Sequence, residues 1–175
     1  MIRLAEPEDL AALPAIEGAA GESFRALGMD EIADDPPPSL AALAGYQADG
    51  RAWVATDDLN RPVAYILVLL VGLNAHIEQV SVRPDHAGKR LGAGLIDAVA
   101  GWALGEGLSA LTLTTFEDVP WNAPYYARLG FRVVPSEDWG PGIRGIVTAE
   151  ALHGLDRWPR VVMRRELPGR QALAP

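Results

Sequence analysis

Between Val80 and Leu95 the chain reads Val-Ser-Val-Arg-Pro-Asp-His-Ala-Gly-Lys-Arg-Leu-Gly-Ala-Gly-Leu. A strand-like run passes through a glycine-bearing turn into a helix, where Leu91, Leu95, Val99 and Trp102 recur at helical spacing. The first N–H groups of a helix have no carbonyl one turn back, and the positive end of the helix dipole lies beside them. Such a turn is an anion site, most often for phosphate. Residues 88 to 93 supply consecutive N–H groups, which suits a pyrophosphate. His86, Lys89 and Arg90 add cationic character, since Arg90 can fork onto a phosphate and Lys89 adds a point charge.

Two common phosphate loops do not match. Gly88, Gly92 and Gly94 lack the dinucleotide spacing, and no acid stands at the required distance beyond them. Lys89 precedes Arg90 and not Ser or Thr, so there is no Walker A loop and a nucleotide-binding reading is weak. The plain alternative is a tight turn in which Gly94 allows close helix–sheet packing.

The rest of the pattern is α/β. Ile2 to Ala5 reads as a strand, and Glu6-Pro7 opens a helix striped by Leu10, Leu13 and Ile16. Ser39 reads as the N-cap of a helix to about Ala48. Strands are expected at 52–55, 63–71, 75–82, 108–115, 131–134 and 158–167, and helices at 91–105 and 121–129. Pro135 to Asp156 reads as loop with a short helix near Thr148 to Leu152. The tail from Pro168 to Pro175 is expected to fray.

The chain has 175 residues, 49% of them hydrophobic, which suits one domain with a sizeable core. It contains no cysteine, which removes disulfides and thiolate metal sites and makes a cytoplasmic protein the default. A net charge of −8 argues against general nucleic-acid binding. The longest apolar run, Val63 to Leu73, is too short to span a bilayer, so no membrane partner is expected. Acid gathers at Asp30, Glu31, Asp34 and Asp35, read either as a solvated loop or as a lobe that attracts a cation.

A second segment, Trp121-Asn-Ala-Pro-Tyr-Tyr-Ala-Arg-Leu-Gly-Phe131, narrows the ligand. Together with the turn it resembles the GNAT superfamily of acetyl-CoA-dependent N-acetyltransferases. The Q/R-x-x-G-x-G/A motif of that family falls on Ala87-Gly88-Lys89-Arg90-Leu91-Gly92, and its Tyr-x-x-x-Gly-Phe motif on Tyr126 to Phe131. Two departures stand out: Ala87 replaces the usual Gln or Arg, and Arg90 the usual Gly. Because a non-glycine takes positive φ only at a cost, Arg90 is expected to keep helical angles.

The resemblance implies a single-domain GNAT-like fold over residues 1–167: a mixed, mostly antiparallel sheet flanked by helices, with a splayed strand pair binding CoA. It implies acetyl-CoA as co-substrate, no metal, and a small-molecule or peptide amine as acceptor. The backbones of Val80, Ser81 and Val82 would pair with the pantetheine arm. Gly88, Lys89, Arg90, Leu91, Gly92 and Ala93 would hold the phosphates. Tyr126 would protonate the leaving sulfur, with Tyr125 as a packing residue. Asn122 is read as a helix cap or a CoA contact.

The general base stays open. Strand alternation puts His76, Glu78, Val80 and Val82 on one face. Glu78 could act directly or through water, or be salt-bridged to Arg83 or Arg128. His76 is the alternative base. A non-catalytic acyl-CoA-binding or regulatory module on the same fold is the second functional reading, and a homodimer through the final strand is left open.

Overall fold

The computed structural model describes residues 1–168. The tail expected to fray therefore lies, apart from Pro168, outside the described residues. Seven strands form one sheet in the order β1-β2-β3-β4-β5-β7-β6: β1 (Ile2–Leu4), β2 (Ala52–Thr56), β3 (Pro62–Val71), β4 (Asn74–Val82), β5 (Ala110–Phe116), β6 (Arg132–Val133) and β7 (Arg160–Glu166). The helices are α1 (Leu13–Gly21), α2 (Asp30–Ala33), α3 (Leu40–Ala48), α4 (Leu91–Gly105), α5 (Ala123–Arg128) and α6 (Pro141–Leu152). Pairing is antiparallel for β1 with β2, β2 with β3, β5 with β7 and β6 with β7, and parallel for β4 with β5. This is the mixed, mostly antiparallel α/β architecture expected. The chain divides into two compact units, Met1–Val68 with Gln79–Ala98, and Leu69–Glu78 with Val99 onward.

In the first unit, the expected stripe of Leu10, Leu13 and Ile16 is buried against Leu43 of α3, Val54 of β2, and Tyr65 and Leu67 of β3. The entry to α1 is a 3-10 segment, Pro7–Ala12, and not the α-helix expected there. It is tied down by Asp9, which receives Arg3 at 2.6 and 3.0 Å and the amide of Glu6 at 2.8 Å. Burial pushes the Asp9 carboxyl up, but Arg3 and that amide together hold it below the usual carboxylate value. Ser39 caps α3 by accepting the Ala42 amide at 3.2 Å, as its sequence position predicts. The acidic segment is partly neutralised from within: Arg25 pairs with Glu22, Asp30 and Asp34 at 3.1, 3.4 and 2.5 Å.

In the second unit, β5 pairs with β7 along its whole length, from Ala110↔Glu166 to Phe116↔Arg160. Its parallel register with β4 runs from Asn74↔Ala110 to Ile77↔Leu113. The helix expected near Thr148 begins seven residues earlier, at Pro141. Pro141 and the glycines at 142 and 145 read locally as loop, yet proline is favoured in the first turn of a helix. A Cβ on Gly142 would stand 2.6 Å from Val71 Cγ1, so the close seat of α6 on that strand end requires the glycine. Other differences lie in the bounds: the helix expected at 121–129 spans Ala123–Arg128, the strand at 131–134 only Arg132–Val133, and the strands at 108–115 and 158–167 span Ala110–Phe116 and Arg160–Glu166.

His76 and Thr112 face each other across the parallel pair, Nδ1 to Oγ1 at 3.0 Å, both fully enclosed. Burial lowers the His76 pKa to about 4. In the unfolded chain the imidazole titrates near 6.5, so between these values the unfolded state binds the extra proton. Stability is therefore present above about pH 6.5 and is lost as pH falls toward 4, by about 3 kcal/mol at roughly 1.4 kcal/mol per unit. Urea denaturation at pH 7, 5.5 and 4 should show the gap between wild type and His76→Gln shrinking by that amount as the solution is acidified. A gap that does not change with pH would rule this account out.

Candidate active site

The candidate residues fall on both units. Val80, Ser81, Val82 and the turn from Gly88 to Ala93 belong to the first, and Glu78, Asn122 and Tyr126 to the second.

In the first unit β4 leads through Arg83 into a 3-10 turn, Pro84–His86, and then into the glycine turn. Gly88 takes φ +78° and Arg90 φ +58°. The expectation of helical angles at Arg90 is therefore wrong, because the turn needs a second left-handed residue immediately before α4 begins at Leu91. Holding a non-glycine residue there costs about 1–3 kcal/mol, and such strain gathers at ligand-binding sites. Successive amides around left-handed residues form an anion-binding concavity. The next backbone N–H to find a carbonyl is that of Gly94, which donates to Arg90 O at 2.9 Å. The amides of Leu91, Gly92 and Ala93, in the first turn of this 15-residue helix, have no carbonyl one turn earlier within it.

Gly94 has the packing role expected of it: a Cβ there would meet Ile2 Cδ1 at 2.7 Å. His86 is drawn to Asp85 at 3.1 Å, and Asp85 also binds Arg83 at 3.0 Å. Those two hydrogen bonds hold the Asp85 carboxyl well below its usual range. Lys89 and Arg90 are both exposed. Ser81 is buried and accepts Gln79 Nε2 at 2.8 Å.

In the second unit Tyr126 sits on α5, with its ring edge-on to Tyr125 and to Phe131 at centroid distances of 5.5 and 5.8 Å. Burial above all, and Tyr125 beside it, push the Tyr126 phenol up, so it carries its proton at neutral pH. Gly130, at φ +88°, ends the helix and turns the chain so that Phe131 is buried. Asn122 occupies the N-cap position but its side chain makes no capping hydrogen bond, so the cap reading of that side chain is not supported.

Glu78 keeps an open surface, while its carboxyl is crowded enough that burial, and then the charge of Glu150, push its pKa above the ordinary value. The two expected salt-bridge partners are engaged elsewhere. Arg83 pairs with Asp85, and Arg128 lies over the Tyr125 ring at 5.8 Å. His76, buried and bonded to Thr112, is neutral at neutral pH and serves the fold.

Sequence reading passed over Glu150 on α6. Thr114 Oγ1 donates to Glu150 Oε1, and Arg160 Nη2 reaches both, at 3.1 Å to Thr114 Oγ1 and 3.2 Å to Glu150 Oε1. The Arg160 guanidinium lies 4.6 Å over the Phe116 ring. Glu150 falls within the short helix expected near Thr148 to Leu152, and nothing in the local sequence marks it, because Thr114 and Arg160 reach it from other elements.

Residues 19–131 match the acetyltransferase (GNAT) family. The chain belongs to the GNAT family. It is accordingly an acetyltransferase, an enzyme of the acyltransferase class. Solved GNAT structures share its fold. An acetyltransferase of the GNAT family from Staphylococcus aureus superposes with a TM-score of 0.71 at 15% identity, covering 96% of this chain and 99% of that one. The PaiA N-acetyltransferase of Thermoplasma acidophilum, in complex with coenzyme A, gives 0.69 at 16% identity over 95% and 98%. A phosphinothricin acetyltransferase of Sinorhizobium meliloti, in complex with AcCoA, gives 0.67 at 18% identity over 100% and 92%.

Among the described residues of this GNAT protein, no helix is long and apolar enough to cross a membrane. No group of three or more His, Asp or Glu side chains stands ready to hold a metal ion among them. A Cβ placed on Gly88 meets nothing within 4 Å. Gly88→Ala therefore isolates the backbone cost of the left-handed turn, about 1–2 kcal/mol. The variant should melt about 2–8 °C below wild type. An unchanged melting temperature would mean that the turn does not hold that conformation.

Proposed function

We propose that this GNAT enzyme, over residues 1–167, transfers the acetyl group of acetyl-CoA to an amine by direct attack of the amine nitrogen on the thioester carbonyl. The observation that carries the reading is the turn before α4, with Gly88 and Arg90 both left-handed and the first-turn amides of a 15-residue helix having no carbonyl one turn earlier within it. That geometry suits a pyrophosphate, and backbone amides do the holding, so the loss of a side-chain donor at Ala87 is tolerated. Gly88, Lys89, Arg90, Leu91, Gly92 and Ala93 bind the phosphates, with the exposed Lys89 and Arg90 adding charge. The backbones of Val80, Ser81 and Val82 pair with the amides of the pantetheine arm. The β4–β5 register ends at Ile77↔Leu113, which fits a strand whose later residues serve a ligand. Asn122, with its side chain not spent on capping, contacts the CoA arm. Coenzyme A and AcCoA in the complexes of the two relatives point the same way.

Chemically, one N–C bond forms and the C–S bond breaks. The ammonium proton leaves to Glu78, directly or through water, and the departing sulfur takes its proton from Tyr126. A carboxyl raised above its ordinary value is a better base than a free one, and a buried phenol that keeps its proton is available as an acid. A thiolate, with a conjugate thiol pKa of about 8.5, already leaves tolerably well, so the acid assists turnover without being indispensable.

Tyr126→Phe should lower kcat by about 10²-fold, the low end for a general acid, with the coenzyme A dissociation constant within about twofold of wild type. Calorimetry and a thiol-release assay read the two quantities separately. Wild-type kcat on a genuine amine surviving in Tyr126→Phe would remove the acid role.

The base must be ionised, so kcat/KM should rise with pH through an ionisation above the free-carboxylate value of about 4.3. Glu78→Gln should abolish that limb and lower kcat by about 10²–10⁴-fold. A pH–rate profile unchanged in Glu78→Gln would return the role to a water chain.

A further inference from the structure

A recess of about 200 Å³ opens beneath α6 in the second unit. Trp139 and Trp158 stand in its wall, with Glu150 and Arg160 at its polar side and Val147 and Ala151 among its apolar lining. We infer that this recess is the side-group pocket of the acceptor, and that the acceptor is a primary amine carrying a compact apolar or aromatic group. The inference rests on the proposed acetyl transfer to an amine with Glu78 as base.

Three observations carry it. The first is size: a cavity of about 150 Å³ accommodates benzene, so this space takes one ring with a short arm and little more. The second is rigidity. Trp139 Nε1 donates to Val134 O at 2.9 Å, and Trp158 stands edge-on to Phe116 at 6.2 Å, so both indoles are held in place. The third is charge. Glu150 and Asp156 line the recess against the single cation Arg160, which is already committed to Glu150, Thr114 and the Phe116 ring. An anionic acceptor is disfavoured there, whereas an ammonium meets carboxylate and indole faces. Glu78 lies within electrostatic reach of the same Glu150, which ties the recess to the base.

The test compares phenethylamine with ethanolamine, using wild type and Ala151→Phe. The added ring fills the recess from a partly exposed helix position. Acetyl-CoA should still protect the variant against heat, which checks its fold. In wild type, thiol release from acetyl-CoA should favour phenethylamine over ethanolamine by at least about 10-fold in kcat/KM, as one or two hydrophobic groups in a fitted pocket allow. In Ala151→Phe that preference should collapse toward unity through KM. Equal handling of the two amines by wild type, or an undiminished preference in the variant, overturns the pocket. Tryptophan fluorescence titrated with phenethylamine separates this from the parent reading. Saturable quenching that disappears in Ala151→Phe supports the pocket even if no amine releases thiol, in which case only amine transfer fails. No saturable quenching in wild type, and no preference in turnover, removes the pocket while amine transfer to ethanolamine stands.

Discussion

The interaction on which the rest depends is made by the backbone. At the entry to α4 the chain takes left-handed angles at Gly88 and again at Arg90, and the second of these carries a real conformational cost. What that conformation secures is a set of N–H groups with no internal acceptor, gathered at the positive end of a helix of 15 residues. Backbone amides are indifferent to side-chain identity. The proposed phosphate site therefore does not depend on the side chains at Ala87 and Arg90. The packing behind the turn is made by a residue far along the chain, since Gly94 lets Ile2 close against α4.

The second unit arranges its polar groups differently. There polar side chains pair with one another: the enclosed His76 with Thr112, the part-buried Thr114 with Glu150 and Arg160, and Arg164 with Asn74 at 2.9 Å. The antiparallel register of β5 and β7 places these residues, and α6 delivers Glu150. Enclosure also sorts two candidate bases. His76, sealed and hydrogen-bonded, loses its affinity for a proton. Glu78, its carboxyl desolvated by burial and with the Glu150 carboxylate nearby, holds its proton more tightly than a free glutamate. That is the direction a base needs if it is to accept a proton from an ammonium.

Charge offers a similar lesson. The acidic run after α1 reads in sequence as a field that attracts cations, yet Arg25 reaches two of its carboxylates, Asp30 and Asp34, as well as Glu22. Residues 22 to 34 thus spend part of their charge on each other. The carboxylates that stand in a shaped recess are Glu150 and Asp156, far along the chain from the acidic run.

Much of the architecture was written locally. Alternation and helical spacing announce the central strands and α4, Ser39 announces a cap, and the two short motifs announce the family. Each of these depends on neighbours within a few residues, which is why sequence alone determined them. Three features depended on contacts distant in the chain, and only the tertiary structure decided them. The helix α6 begins at Pro141 because Gly142 is needed against Val71. Arg90 is left-handed because the turn demands it, against the residue's own preference. Glu150 meets Thr114, 36 residues earlier, because strand pairing and the seat of α6 bring them together. Local propensity reports what a segment prefers in isolation, whereas burial and packing choose among those preferences once the sheet exists.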